Sequence, residues 1–312
     1  MSCAGSPRPL SVLIAGPTGG GKSGLALDLA AGLGGVVINA DAMQVYRDLS
    51  ILTARPGAAD EARAPHRLYG VVDAGDAYSA GRWRHDAASC IDDAHERGLA
   101  AIVVGGTGLY FESLVGGLSR IPPVPAPVRD KWRKMVEEDG LGEVRSELES
   151  RDPDMARRIA PTDAQRTVRA LEVLEASGRS LGWWQRQAGE AAAISGDPVR
   201  IVVAPPREWL HARIERRARA MIEAGALVEV RRLVGRGLDP GLPAMKAIGV
   251  RELAPVVSGA CELDPALRAM CAATRRYARR QLTWARGHMA GWRWVESTDE
   301  GLELAWSLTG RR

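Results

Sequence analysis

Several absences narrow what this chain can be. No apolar run approaches the ~18 residues that a membrane span needs; the longest are on the scale of AAIVVGG and GVVINA. The N-terminal MSCAGSPRPLSVLIAG is not expected to be a signal peptide, because its apolar run leads straight into a motif the protein must keep. Cys3, Cys90, Cys261 and Cys271 stand without the CxxC or CxxH spacing of zinc sites and redox pairs, so a reducing compartment is expected. Lysine is scarce, with Lys22, Lys131, Lys134 and Lys246 alone among 42 basic residues. Acids are missing altogether from Pro265 to Val295, a stretch that holds seven arginines. A block of +7 inside a chain of +4 leaves the remainder at −3. Such a block binds a polyanion or forms a solvated face, and charge alone does not choose between them.

The remaining composition is ordinary. A chain of 312 residues with 46% hydrophobic and 26% charged residues is globular, long enough for about two domains of ~150 residues. SVLIA at 11–15, GVVINA at 35–40, AAIVVGG at 100–106 and RIVVAPP at 200–206 are short apolar runs bounded by glycine or proline. They alternate with helical patterns, among them Leu25, Leu29 and Leu33 at a spacing of four, and a helix through 82–97. Continuous β-branched runs alternating with helices predict an α/β fold, with a parallel sheet covered on both faces by helices. The proline-rich GLSRIPPVPAP at 117–127 opens a segment without any strand-like run. Its pattern predicts polar helices over KWRKMVEE, VRSELES and AQRTVRALEVLEAS. The expected organisation is therefore a core of residues 1–116 and 196–312, interrupted by an all-helical insertion at 117–195.

Chemistry enters with GPTGGGKS, which matches G-x-x-x-x-G-K-[ST] in full, after an expected strand and before an expected helix. Gly16, Pro17, Thr18, Gly19, Gly20 and Gly21 let successive N–H groups turn inward around an anion. Lys22 reaches the terminal phosphates, and the Ser23 hydroxyl suits Mg²⁺. The second acidic strand end of a nucleotide hydrolase is not where it would usually stand. AAIVV runs into Gly105-Gly106-Thr107-Gly108-Leu109-Tyr110, whereas GVVINA leads to Asp41. Asp41, at the carboxyl end of a strand, is a candidate metal ligand, general base or capping residue.

Six ordered blocks, GPTGGGKS, DAMQVY, GGTGLY, QRTVRALEV, AIGVRE and TRRYARRQLTWARG, resemble the tRNA dimethylallyltransferase (isopentenyl-tRNA transferase) family from about Leu10 to Trp294. The resemblance implies transfer of a dimethylallyl group from dimethylallyl diphosphate to the exocyclic amine of the adenosine next to the anticodon. It implies a loop that grips a diphosphate leaving group with Mg²⁺, assisted by Arg213 and Arg217. Asp41 is then the base that takes the amine proton, and Thr107 touches the substrate near the reacting centre. tRNA contacts are implied at Asp41, Ala42, Met43 and Gln44; at Thr107; at Arg129; at Gln165, Arg166, Thr167, Val168 and Arg169; at Lys246 and Arg251; and at Arg275, Arg279, Arg280 and Arg286. Leu282 and Trp284 are expected to pack inward.

Two departures stand out. Gly19-Gly20 replace the family's Ala-Ser, and Ala42 removes a hydroxyl that many relatives carry. The eukaryotic zinc-finger extension is absent before Arg312, so a bacterial-type, monomeric enzyme of the cytoplasm is expected, acting on the tRNA anticodon stem-loop. The alternative is a P-loop small-molecule kinase. A third possibility is an RNA-binding P-loop protein in which nucleotide only sets a conformation.

Overall fold

A computed structural model describes residues 10–187, 189–194 and 196–310. The N-terminal reading, Cys3, the expected insertion end at Ser195 and the terminal Arg312 lie outside them. The strands are β1 (Ser11–Ala15), β2 (Gly35–Asn39), β3 (His66–Arg67), β4 (Ala100–Gly105), β5 (Val199–Val203) and β6 (Arg293–Val295). Between β1 and β5 run α1 (Lys22–Leu33), α2 (Ala58–Glu61), α3 (Ala80–Glu96), α4 (Gly108–Val115), α5 (Ala126–Glu138), α6 (Gly140–Arg151), α7 (Pro153–Arg158), α8 (Ala164–Ser177) and α9 (Leu181–Arg186). After β5 come α10 (Arg207–Glu223), α11 (Ala226–Val234), α12 (Val250–Val257), α13 (Leu263–His288) and α14 (Thr298–Thr309).

The strands form one parallel sheet in the order β3-β2-β4-β1-β5-β6. Apart from Ser11, Asn39 and Arg200, its central strands β1, β2, β4 and β5 carry only apolar residues and glycine, because both faces are covered, the condition that parallel crossovers impose. Successive residues of β1 go to opposite cores. Leu13 and Ala15 pack with Trp83, Phe111 and Met221 on one face. Val12 and Ile14 pack with Leu25, Leu29 and Ala305 on the other. This is the period-two alternation of a strand read against two cores rather than one. The α/β class expected from the runs is the one observed. The two edge strands, β3 and β6, and the helix α14 go beyond the sequence reading.

Register matters for the site. Ala15 lies opposite Gly105 on one side and Val202 on the other, while Asn39 lies opposite Val104. The carboxyl ends of β1, β2, β4 and β5 therefore finish level. The chain leaves β1 toward β2 on one side and reaches β5 on the other, so a crevice opens at the carboxyl end of β1, where open α/β sheets bind ligands.

The chain separates into two compact units, Met1–Val115 with Ala192–Arg312, and Gly116–Ala191. The second is all helical, with its own core of Trp132, Val144, Leu148, Ala170, Leu171 and Val173. Its helix starts are capped from the sequence. The carboxylates of Asp152 and Asp163 accept from the N–H groups of Met155 and Arg166 at 3.1 and 3.0 Å, and the Ser180 hydroxyl accepts from Gly182.

Candidate active site

The loop between β1 and α1 is shaped by glycine. Gly16 sits at φ 147°, and a Cβ there would meet the Val203 carbonyl oxygen at 2.3 Å. Gly21, at φ 92°, is the residue before α1, and a Cβ on it would strike Thr298. Both positions exclude side chains, so the loop closes tightly against β5 and the start of α14. The Gly20 N–H donates to the Pro17 carbonyl at 3.0 Å. The buried Lys22 ammonium donates to the same carbonyl at 2.6 Å. Burial lowers the Lys22 pKa to about 8, with the Asp41 carboxylate working against that shift and Arg217 adding to it.

Asp41 is held by a network that begins at β2. The Asn39 side chain accepts from the Asp41 N–H at 2.8 Å and donates to the carbonyls of Asp41 and Leu68. Trp83, stacked on Tyr110 with ring centroids 4.2 Å apart, donates its indole N–H to the Asn39 carbonyl. One carboxylate oxygen of Asp41 accepts the Met43 N–H at 2.9 Å. Thr107 crosses from β4: its hydroxyl accepts the Ala42 N–H at 2.9 Å, and its own N–H donates to the Ala40 carbonyl. The sheet thus sets Asp41 and Thr107 side by side at the ends of neighbouring strands. Tyr277, on α13, lines the same space as Asp41. Burial, reinforced by the Asp41 charge, raises its pKa and keeps the phenol protonated.

Two adjoining spaces meet at Asp41. The first, about 90 Å³, is polar and lined by Gly19 to Gly24, Asp41, Gln44, Arg213 and Arg217 among others. The second, about 260 Å³, is mainly apolar, with walls of Met43, Leu52, Ile214, Met221, Ile248 and Met270. Thr18, Gly19, Asp41, Thr53 and Arg217 line both. Arg217 donates to the Thr53 carbonyl at 3.0 Å, and desolvation pulls its pKa downward, partly countered by Asp41. Arg213 is exposed and lies over the Trp209 ring at 5.1 Å. An anion entering the polar space meets loop N–H groups, Lys22 and Arg217 together. Asp41 supplies the one carboxylate among the residues lining the polar space, and the exposed Ser23 one of its hydroxyls. Among the described residues no group of three or more His, Cys, Asp or Glu could hold a metal. That donor set suits a hard divalent ion that takes most of its ligands from phosphate oxygens and water.

The expected RNA contacts fall in both units. Lys246 is exposed and contributes to the apolar cavity wall, with Arg280 at the same wall and over Tyr277. Arg251, Arg279 and Arg286 are exposed. Arg275 is different, because it forms an ion pair with Glu215 of α10. Gln44 donates its amide to the Thr53 and Ala54 carbonyls, which braces the loop beside the cavity. In the helical unit Arg129, Gln165 and Arg166 are exposed, Arg166 beside Asp163 at 3.3 Å. Arg169 pairs with Glu172. Thr167 is fully buried and donates its hydroxyl to the Asp163 carbonyl, and Val168 packs on the core. Thr167 thus holds α8 in place and offers no side chain to solvent, whereas Val168 is half-buried. Trp284 packs against the core as expected, where a Cβ on Gly108 would meet its ring at 2.1 Å.

Two residues escaped the sequence reading. Glu229 accepts from the N–H groups of Ser50, Ile51 and Leu52 and from the Ser50 hydroxyl, at 2.8–2.9 Å, and so fixes the loop that lines the cavity. Gln281 accepts the Thr18 N–H at 2.8 Å and donates to the Gly106 carbonyl at 2.9 Å. Ala278, Gln281 and Ala285 form the buried stripe of α13, and a polar residue within that spacing was the signal available.

Known proteins give the same assignment. The IPP transferase family model matches residues 44–288, and an isopentenyl transferase model matches residues 10–77. The tRNA dimethylallyltransferase of Rhodopseudomonas palustris is 48% identical over 304 residues, covering 97% of this chain and 95% of that one. That of Rhodospirillum centenum is 51% identical over 293 residues, covering 94% and 93%. The crystal structure of the full-length tRNA isopentenylpyrophosphate transferase from Bacillus halodurans superposes with a TM-score of 0.69 at 30% identity, covering 97% and 96%. A eukaryotic dimethylallyltransferase, captured in crystallographic snapshots acting on tRNA, gives a TM-score of 0.74 at 29% identity over 88% of this chain and 70% of that one. The chain belongs to the IPP transferase family and is an enzyme of prenyl transfer.

Proposed function

We propose that the chain transfers a dimethylallyl group from dimethylallyl diphosphate to the exocyclic amine of the adenosine beside the anticodon of a tRNA. The observation that carries this reading is the meeting of a polar, cationic space with an apolar cavity at one carboxylate, Asp41. A diphosphate with a five-carbon tail has that same division into a charged head and an apolar end. A kinase would need a polar acceptor beside its phosphate loop, whereas the neighbouring walls are Met43, Leu52, Met221 and Met270.

In the reaction, the bond between the allylic carbon and the diphosphate oxygen breaks, and its electron pair leaves with the diphosphate. The amine nitrogen bonds the allylic carbon, and its proton passes to the Asp41 carboxylate. Lys22, Arg217, Arg213 and the loop N–H groups of residues 19–23 grip the leaving group, where negative charge grows as the bond lengthens. Thr107, bonded to the Ala42 N–H, holds the turn that faces the amine. Ser23 would hold Mg²⁺ together with diphosphate oxygens and water. When bound, that ion neutralises leaving-group charge.

The tRNA anticodon stem-loop is the proposed partner, met by Lys246, Arg251, Arg279, Arg280 and Arg286 of the core unit, and by Arg129, Gln165, Arg166 and Arg169 of the helical unit. We place the enzyme in the cytoplasm and propose that it works as a monomer. Incubating the protein with dimethylallyl diphosphate, Mg²⁺ and a tRNA bearing an A-A-A run in its loop, then analysing nucleoside masses, tests the reading. A prenylated adenosine formed without ATP is expected. ATP consumption without tRNA, and no prenyl mass gain, would favour the kinase.

A further inference from the structure

Gln281 is the one described side chain that joins both halves of the site from the outside. It lies on the buried face of α13, only 9% exposed, among five exposed neighbours, Arg276, Arg279, Arg280, Thr283 and Arg286. Its carbonyl oxygen takes the Thr18 N–H of the phosphate loop, and its amide N–H goes to the Gly106 carbonyl, beside Thr107. A Cβ on Gly106 would meet the Gln281 amide nitrogen at 2.1 Å, so a glycine at 106 is what admits this side chain.

We propose that Gln281 is a positioning residue, which fixes the distance between the diphosphate grip and the Asp41–Thr107 pair and ties both to the arginine-bearing helix. The inference rests on the prenyl-transfer reading. Its physical basis is that the two loops belong to different strands, β1 and β4, and each carries one partner of the reaction. The phosphate loop sets where the carbon–oxygen bond lies. The Ala42–Thr107 bond sets where the base and the amine lie. A clamp between them acts on the alignment of nucleophile, carbon and leaving group, not on the affinity of either substrate, and a misplacement of about 1 Å costs on the order of 10²-fold in rate. The bridge also occupies the Thr18 N–H, which leaves the anion to the N–H groups of the later loop residues.

The test uses the full chain with Gln281→Met, which keeps length and burial but removes both hydrogen bonds, and with Gly106→Ala, which pushes the side chain out of its seat without altering it. Single-turnover prenylation should slow by ~10²-fold in each. The dissociation constants of inorganic diphosphate and of tRNA should stay within about threefold. The double variant should be no slower than either single one, because both remove the same bridge. Gln281→Glu keeps the acceptor for Thr18 and should recover part of the rate. Wild-type protein run alongside separates the two claims: if it prenylates no tRNA, the functional reading fails. If it does so and Gln281→Met is unchanged in rate, or loses diphosphate affinity in proportion to rate, the positioning role is overturned. An additive double variant overturns it as well.

Discussion

The Thr107 hydroxyl accepts the Ala42 N–H at 2.9 Å, so the turn after β4 and the loop after β2 are joined within one residue of Asp41. The bond places a polar side chain from one strand end against the backbone that aims the carboxylate of another. Thr107→Val keeps the shape and leaves that N–H without its acceptor. Thermal unfolding should report a loss of about 1–3 kcal/mol, and prenyl transfer should slow by up to about 10²-fold. Thr107→Ser should restore both. A valine variant with normal kcat would limit Thr107 to a structural turn.

Asp41→Asn keeps an oxygen for the Met43 N–H and removes the proton acceptor. Single-turnover rates at saturating substrates should fall by ~10²–10⁴, the usual range for a positioned general base. Diphosphate affinity should change little. Near-normal turnover would return Asp41 to the role of a turn cap.

Lys22 introduces a pH dependence. Its folded-state pKa is lowered to about 8 by burial, so in the free enzyme it is charged below about pH 8 and neutral above. The value of kcat/KM for dimethylallyl diphosphate should therefore fall as pH rises through about 8, and Lys22→Arg should move that limb upward, since a guanidinium stays charged. Lys22→Ala should cost ~10²–10³ in rate with tRNA affinity close to normal. Stability runs the other way. The unfolded lysine keeps its proton to about 10.5, so the cost of burying the charge is fully present below pH 8 and is relieved as pH rises from there.

The arginines of α13 divide into two groups with different expected behaviour. Arg279 and Arg286 are exposed, whereas Arg275 pairs with Glu215. Replacing Arg279 and Arg286 with Ala should lower the salt slope of tRNA binding by ~0.7–0.9 for each phosphate no longer neutralised, with thermal stability nearly unchanged. Arg275→Ala should do the reverse, costing ~0.2–1 kcal/mol of stability for a partly exposed pair and leaving the salt slope in place. Equal effects on the slope would show that the Glu215 pair opens to admit RNA.

How much of this could be read before folding differs from residue to residue. Strand runs such as SVLIA and AAIVV announced the sheet because parallel strands buried on both faces are almost continuously apolar. The phosphate loop is a local feature, legible because glycine spacing alone dictates its backbone. Asp41 was visible as the acid at a strand's end. Two-residue β3 and three-residue β6 carry too few side chains to show a period, and each exists only because its neighbour offers a free edge. Glu229 binds residues 50–52, and Gln281 binds Thr18 and Gly106, across separations of more than 170 residues. Their meaning lies in packing that one-dimensional pattern does not carry. Arg275 looked like its arginine neighbours until α10 placed Glu215 against it.

The most direct measurement of the central claim counts products. With purified protein, Mg²⁺, dimethylallyl diphosphate and a competent tRNA, diphosphate release and prenylated adenosine should appear one for one, at the adenosine beside the anticodon and with no ATP present. Dimethylallyl diphosphate without tRNA should release almost none. Diphosphate released with no gain in tRNA mass, or no reaction with a competent tRNA, would contradict the account.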